Sequence, residues 1–315
     1  AAGETIVAPS VLNIAGRQRP GNVSRLWEWV FERAAVSDAM ALSADSLVYG
    51  GLVASRTHFA SDAELSARLE KFRELKRRYP ALRLYVFSTI MRTPKMSAGA
   101  TEPPYYEKLG PTIFRITALE DKREVVGLSA AETAELSILI GAVPAENLAD
   151  WRMRRAKNYR INEQLQQLAR EGVFEYLLLG RDDSSPLSAS HREARHLQTS
   201  GAGIDSSRYL SIPGADNLGM SLVVQAINDV NFRLPFVKVF YAPGVGGATV
   251  ASYEDRPLSE SIPQHVIVSG GVKADWVEAP DLVLAVNSPA DGRTREANQP
   301  DNVTQANPSI RTFAA

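Results

Sequence analysis

The stretch FEYLLLGRDDSSP, residues 174–186, decides the fold of this chain. Its apolar part, residues 174–180, shows no polar alternation, which is typical of a strand buried on both faces of a parallel sheet. The acids Asp182 and Asp183 follow almost at once. Adjacent carboxylates repel each other unless a positive charge or hydrogen bonds compensate them. The stretch therefore predicts a central strand of an α/β sheet with a polar site at its carboxyl end.

Similar apolar runs recur along the chain and alternate with amphipathic segments. The predicted strands are residues 5–9, 39–45, 82–89, 174–180, 208–214, 236–242, 265–271 and 281–287. The predicted helices are residues 61–79, 129–141, 145–172 and 217–231, and the first two begin with a Ser-x-x-Glu capping box. This alternation predicts an α/β fold of mainly parallel, doubly wound sheets with helices on both faces. Eight strands would also suit a (β/α)8-like barrel, but the long gap between residues 89 and 174 favours open sheets.

The stretch SPLSASHREARHLQTSGAGID, residues 185–205, is the best candidate for a boundary between two lobes. We predict an N-terminal α/β lobe over residues 1–190 and a second α/β lobe over residues 191–290. The remaining residues, 291–315, are rich in Pro, Asn and Asp, which predicts a polar tail or loop.

Composition excludes several classes of function. The formal net charge is −1, whereas proteins that bind nucleic acid or anionic membranes carry a basic excess. No apolar run is long enough to span a membrane, and the chain contains no cysteine for disulfides or thiolate chemistry. No signal peptide is visible, and the lack of cysteine is compatible with the cytoplasm. We therefore expect a soluble protein; its location and oligomeric state are not assigned.

Ligands of parallel α/β sheets bind at the carboxyl ends of the strands, so the polar residues that follow the predicted strands are functional candidates. The candidate catalytic carboxylates are Asp45, Asp182, Asp183 and Asp216. The candidates for substrate binding in the same loops are Arg56, Arg92, Glu102, Tyr105, Glu254 and Asp255. Capping or turn formation is the alternative role for single acids, since Asp216 directly precedes a predicted helix and one of the paired acids fits an Asx turn.

The long helix predicted over residues 145–172 supplies three more candidates. Its apolar stripe continues toward the N-terminus through polar side chains, among them Arg155, Asn158 and Asn162. A helix that leads into a parallel strand places its N-terminal half at the carboxyl end of the sheet, beside the acids. Buried Arg and Asn side chains need partners, so they either neutralise the acids as a structural network or also hold a ligand.

A metal centre has little support in the sequence. The four histidines, at positions 58, 191, 196 and 265, do not have the spacing of a zinc site. We therefore expect no cofactor. An all-oxygen site for magnesium or calcium is the alternative, with Asp45, Asp182, Asp183 and Asp216 as ligands.

Several motifs, spread over residues 38–287 in a fixed order, resemble a bacterial family that is catalogued only as a domain of unknown function. They are ADSLVYGGLVASR, FSTIMR, EPPYYEKLG, RRAKNYRIN, LLLGRDDSSP, PGADN and YEDRPLSESIPQHVIVSGG. Members of that family begin with an acidic DDRP-like motif and end with Asn/Gly-rich motifs, and this chain has neither. The resemblance therefore implies a fragment or a divergent member. The family also tends to carry an acid where Asn217 stands, which weakens the case for Asp216 as one of a pair.

The residues favour a hydrolase that acts on a carbohydrate, because glycoside hydrolysis needs one protonated and one ionised carboxyl group across a cleft. We expect Asp183 or Asp45 to be the general acid or nucleophile and Arg155 to hold Asp182. Arg56 and Arg92 would bind an acidic or hydroxylated substituent of the sugar. A magnesium-dependent phosphoester hydrolase and a non-catalytic binding protein for a sugar or amino acid are the alternatives. The expected partner is thus a small molecule, not a nucleic acid or a membrane.

Overall fold

The structure is a computed structural model that describes residues 3–17, 19–96 and 101–294. Its strands form two sheets in which every pairing is parallel. The larger sheet has the order β1-β2-β3-β4 and consists of β1 (Ala39–Ser43), β2 (Arg83–Ile90), β3 (Tyr176–Arg181) and β4 (Tyr209–Pro213). The smaller has the order β6-β5-β7 and consists of β5 (Phe236–Tyr241), β6 (Val272–Lys273) and β7 (Leu282–Val286).

Helices connect nearly all of these strands. In chain order they are α1 (Val23–Ala34), α2 (Ala44–Val48), α3 (Leu52–Thr57), α4 (Asp62–Arg78), α5 (Tyr106–Val125), α6 (Ala130–Ala142), α7 (Ala145–Arg170), α8 (Ala189–Ser200), α9 (Leu218–Val230) and α10 (Leu258–Val268). The predicted capping boxes at the starts of α4 and α6 are confirmed. In each, a serine accepts the N–H of the glutamate three residues later, whose carboxylate accepts the serine N–H in return.

Strand β3 is buried over its whole length, as its unbroken apolar run predicts. Leu177 and Leu179 pack into the core under α1, α4 and α7, while Tyr176 and Leu178 pack on the opposite face against α9. Helices therefore cover both faces of the larger sheet. The prediction of a parallel α/β fold with helices on both faces is confirmed.

Two predicted strands are wrong. Residues 5–9 form no strand, and the apolar side chains of Ile6 and Val7 are exposed. Residues 265–268 of the predicted strand 265–271 belong to the end of α10, where Val266 and Val268 pack into two different cores. Three apolar residues in a row are too few to separate a strand from one turn of a buried helix.

The change from one sheet to the other falls between β4 and β5. The predicted lobe boundary near residue 190 lies earlier, before β4, which pairs with β3 in the larger sheet. The division into lobes stays a prediction, and the tail predicted over residues 291–315 lies outside the described residues beyond residue 294. Among the described helices, none combines the length and apolar character needed to cross a bilayer.

Candidate functional site

The carboxyl ends of β1, β2 and β3 bring most of the predicted site residues to one edge of the larger sheet. Ser43 at the end of β1 pairs with Phe87, while Thr89 and Ile90 pair with Gly180 and Arg181. The residues that follow these strands are therefore neighbours in space. They include Asp45, Arg92, Asp182 and Asp183.

Five side chains at this edge form a chain of alternating charges, in the order Asp182, Arg56, Glu102, Arg92 and Asp183. We call these five residues the edge network. Arg56 donates to Glu102 Oε1 at 3.0 Å from one side and to Asp182 from the other. Arg92 donates to the same Glu102 oxygen at 2.8 Å and to Asp183 Oδ2 at 2.5 Å. Both guanidinium groups thus lie between acids of the protein itself, and the edge network carries one negative charge in excess.

The edge network runs from the interior to the surface. The side chains of Arg56 and Glu102 are 3% and 0% exposed, whereas those of Arg92 and Asp183 are 19% and 28% exposed. A small molecule in solution can therefore reach the network at its Asp183 end. The buried members hold that end in place.

Asp183 has a left-handed backbone conformation, which is uncommon for residues other than glycine, although Asp and Asn adopt it more readily than most. Its φ of 39° lies in the left-handed region, which a side chain with a Cβ enters only at a cost. Such conformations persist where the surrounding structure enforces them, and they cluster at functional sites. Here the turn after β3 and the ion pair with Arg92 fix the direction of the Asp183 carboxylate.

Asp45 is a buried carboxyl group beside the edge network. Its Oδ2 accepts the Thr89 hydroxyl at 2.9 Å, and its Oδ1 has no hydrogen-bond partner among the described residues. The pKa of Asp45 is raised to about 7, mainly by burial; the nearby Asp182 also raises it, while Thr89 and Arg56 lower it. Asp45 therefore exchanges its proton near neutral pH, as catalytic acids do.

Two asparagines of α7, Asn158 and Asn162, support the end of β2. Asn158 accepts the Met91 N–H at 3.1 Å and donates to the Thr89 carbonyl at 3.1 Å. Asn162 donates to that carbonyl at 3.3 Å and to Asn158 Oδ1 at 3.2 Å. These amides satisfy backbone groups where the sheet pairing stops and so hold the site's frame, although Asn162 Oδ1 itself has no partner among the described residues.

The prediction that Arg155 holds Asp182 is wrong. Arg155 forms a bidentate pair with Glu193 of α8 at 2.8 and 2.7 Å, and it also donates to the Arg92 carbonyl at 3.1 Å. Arg56 holds Asp182 instead. The sequence did not reveal the pairing of Arg155 with Glu193, because Glu193 lies in α8, a helix that the apolar pattern did not predict.

Three other predicted residues lie outside the edge network. Tyr105 donates its hydroxyl to Asp150 at 2.7 Å at the start of α5. Asp216 is exposed before α9 and makes no side-chain contact with the network. Glu254 is half-buried, and burial raises its pKa.

Asp255 has a structural partner that the sequence analysis missed. It accepts two hydrogen bonds from the buried Arg181 at 2.5 and 2.9 Å, and the Ser184 hydroxyl at 2.9 Å. This pair ties the loop before α10 to the end of β3. Arg181 directly precedes the two acids, so its position in the sequence could have indicated it. Thr89 could have been found as a polar residue at the carboxyl end of β2.

The described acids do not form a metal site. Within residues 3–17, 19–96 and 101–294, no group of three or more His, Asp or Glu side chains is placed to hold a metal ion. Glu102, Asp182 and Asp183 are turned to arginines instead. This donor arrangement does not suit magnesium or calcium, which prefer several carboxylate and carbonyl oxygens around one point.

Comparison with known proteins gives one match. The model of a family described as protein of unknown function (DUF4127) matches residues 1–315, the whole chain. No curated protein and no solved structure matches the chain.

Proposed function

The chain belongs to the DUF4127 family, a protein family of unknown function, and we propose from its residues that it is a hydrolase of glycosides. The observation that carries the proposal is that two carboxyl groups in different surroundings, the buried Asp45 and the accessible Asp183, lie at one sheet edge. Asp45 keeps its proton up to about neutral pH, because burial raises its pKa to about 7. Asp183 is accessible and paired with Arg92. Glycoside hydrolysis needs such a division between an acid and an ionised carboxylate.

In this proposal Asp183 is the nucleophile or base, and Asp45 holds the proton that the leaving group needs. Oδ1 of the buried Asp45 has no hydrogen-bond partner among the described residues, so a proton on it is not committed to another group of the protein. Asp182 and Glu102 are positioning residues, because each is occupied by Arg56. Arg92 orients the Asp183 carboxylate.

The charge balance favours a neutral sugar at this edge. Arg56 and Arg92 are compensated by acids of the protein, so neither has its charge free for an acidic substituent. The excess negative charge of the edge network would repel a phosphate or a uronic acid. This favours glycoside hydrolysis over phosphoester hydrolysis.

The test is a screen of the purified protein for hydrolysis of chromogenic α- and β-glycosides, followed by two matched variants. Asp183→Asn removes the proposed reacting carboxylate and keeps a residue type that tolerates left-handed backbone. Asp216→Asn makes the same chemical change outside the network. We expect Asp183→Asn to lower kcat by roughly a thousandfold or more, and Asp216→Asn to leave it unchanged.

Activity should also fall as pH rises through about 7, the pKa of Asp45, because the proton donor is then lost. Two results would contradict the proposal: no hydrolysis of any glycoside by the folded protein, or equal activity of Asp183→Asn and the wild type. Sugar binding that survives in Asp183→Asn without turnover in either protein would point to a non-catalytic binding protein.

A further inference from the structure

A cavity lies outside the edge network, between the loop that contains residues 15–17 and 19–20 and the helices α3 and α4. It encloses about 460 Å³, which is within the size range of small-molecule sites. The side chains that matter for its chemistry are Arg17, Arg19, Arg68, Glu64, His58 and Tyr49. We call this cavity the arginine pocket.

The arginines of this pocket differ from those of the edge network in having no acidic partner. Within the described residues, Arg17, Arg19 and Arg68 form no ion pair. Arg19 donates to the carbonyls of its own loop, at Leu12 and Ile14, and Arg68 donates to a carbonyl at the end of α2. Neutral carbonyls hold Arg19 and Arg68 in place, and the nearby Glu64 interacts with Arg68 without forming an ion pair in the described residues.

The one acid that lines the pocket is already engaged. The Glu64 carboxylate accepts the N–H and the hydroxyl of Ser61 at the start of α4. This capping role turns it toward the helix N-terminus, whose partial positive charge it offsets. The pocket therefore has three cationic groups against one acid that faces a helix end.

His58 and Tyr49 add hydrogen-bonding groups to the wall of the pocket. Both ring nitrogens of His58 and the Tyr49 hydroxyl are buried, and none makes a hydrogen bond of normal geometry within the described part of the chain. The two rings lie side by side, with centroids 4.9 Å apart. Burial, with Lys157 and Arg154 nearby, lowers the pKa of His58 to about 4, so the ring is neutral at physiological pH and can donate one N–H.

We propose that the arginine pocket binds the anionic group, a phosphate or a carboxylate, of a small organic molecule. Uncompensated guanidinium groups bind such groups by charge-assisted hydrogen bonds. His58 would add a hydrogen-bond donor for its oxygens. Val53, Ala54 and the Tyr49 ring provide an apolar wall for the rest of the molecule. This proposal is independent of the glycosidase proposal, since it uses no residue of the edge network.

The experiment is calorimetric titration of the full chain with inorganic phosphate, glucose 6-phosphate and glucuronate, with glucose as the neutral control. We expect the phosphate compounds, glucuronate or both to bind, and to bind more weakly at high salt. Glucose should not bind in this pocket. The phosphate and carboxylate arms identify which anionic group the pocket prefers.

Matched variants locate the binding. Arg68→Gln should weaken anion binding roughly tenfold or more, and Arg17→Gln, which removes an exposed side chain without partners, gives the same test where Arg68→Gln fails to fold. Arg33→Gln removes the same charge from the exposed face of α1 and should have no effect. The proposal is overturned if no anion binds, or if Arg68→Gln and Arg17→Gln both bind anions as the wild type does.

Discussion

The edge network and the arginine pocket use the same residue type in opposite ways. In the edge network, Arg56 and Arg92 each lie between two acids of the protein. In the arginine pocket, Arg17 and Arg68 have no acidic partner among the described residues, and only one acid lines the cavity. A compensated arginine fixes the geometry of its neighbours, whereas an uncompensated one attracts an anion from outside.

The comparison predicts that removal of an arginine has different consequences in the two regions. Arg56→Met leaves Asp182 and Glu102 as buried carboxylates without their shared cation, so it should lower the free energy of unfolding by about 3–5 kcal/mol. Arg17→Gln in the pocket should change it by less than about 0.5 kcal/mol, because the side chain is exposed and unpaired. Urea denaturation of both variants measures the difference.

An Arg56→Met protein as stable as the wild type would mean that the two acids take up protons at little cost. The double variant with Asp182→Asn distinguishes the causes of a large effect. It should recover part of the stability lost in Arg56→Met, because it removes one of the stranded charges.

Substitution of Asp45 should have the next largest effect on the free energy of unfolding, and this effect depends on pH. Its pKa is about 7 in the folded protein against an ordinary value of 3.8. Between these values the folded state holds a proton that the unfolded state has lost, so this contribution to stability is full below pH 3.8 and disappears as pH rises toward 7. Asp45→Asn removes this pH dependence. Its free energy of unfolding relative to the wild type should therefore increase over that range by up to about 4 kcal/mol.

Denaturation of both proteins at a series of pH values measures this difference. Asp216→Asn is the control, because it makes the same chemical change at an exposed position outside the edge network. A difference between Asp45→Asn and the wild type that stays constant with pH would show that Asp45 titrates normally.

The sequence predicted the larger sheet well because its strands are unbroken apolar runs. Burial on both faces forces this pattern on β3, whose six residues are all buried. The helices α5 and α8 were not predicted, although each is long. Pro111 lies within α5, and α8 has only four fully buried residues, so neither has a clear apolar period.

The candidate site was predictable in position but not in pairing. Topology alone brings Asp45, Asp182 and Asp183 to one edge, because parallel strands end on the same side. Which arginine meets which acid depends on side-chain reach across loops 46 to 126 residues apart in the chain, as for Arg56 with Glu102 and Asp182. The arginine pocket was missed because the residues 5–9 before its loop read as a strand and the loop itself carries no motif.

Thr89→Val sharpens the account of Asp45 with a smaller effect. Valine keeps the shape of threonine but removes the hydroxyl that donates to Asp45 Oδ2 at 2.9 Å. That hydrogen bond favours the ionised form, so its loss should raise the pKa of Asp45 by roughly one unit. The pH range over which Asp45→Asn differs from its parent should then move upward in the Thr89→Val background. An unchanged range would place the cause of the shift in burial alone.

The smallest predicted effect concerns Glu64, the one acid in the lining of the arginine pocket. Glu64→Gln keeps a side chain that can still accept from Ser61, while it removes the negative charge next to Arg68. Anion affinity should rise by roughly twofold to fivefold at low salt, because the variant loses a negative charge that repels the anion. The effect is small because solvent and salt screen part of this repulsion. Glu74→Gln on the same helix, outside the pocket, is the matched control. Weaker anion binding by Glu64→Gln would mean that Glu64 matters more for the shape of the pocket than for its charge. The number of charges around the pocket would then not explain its anion affinity.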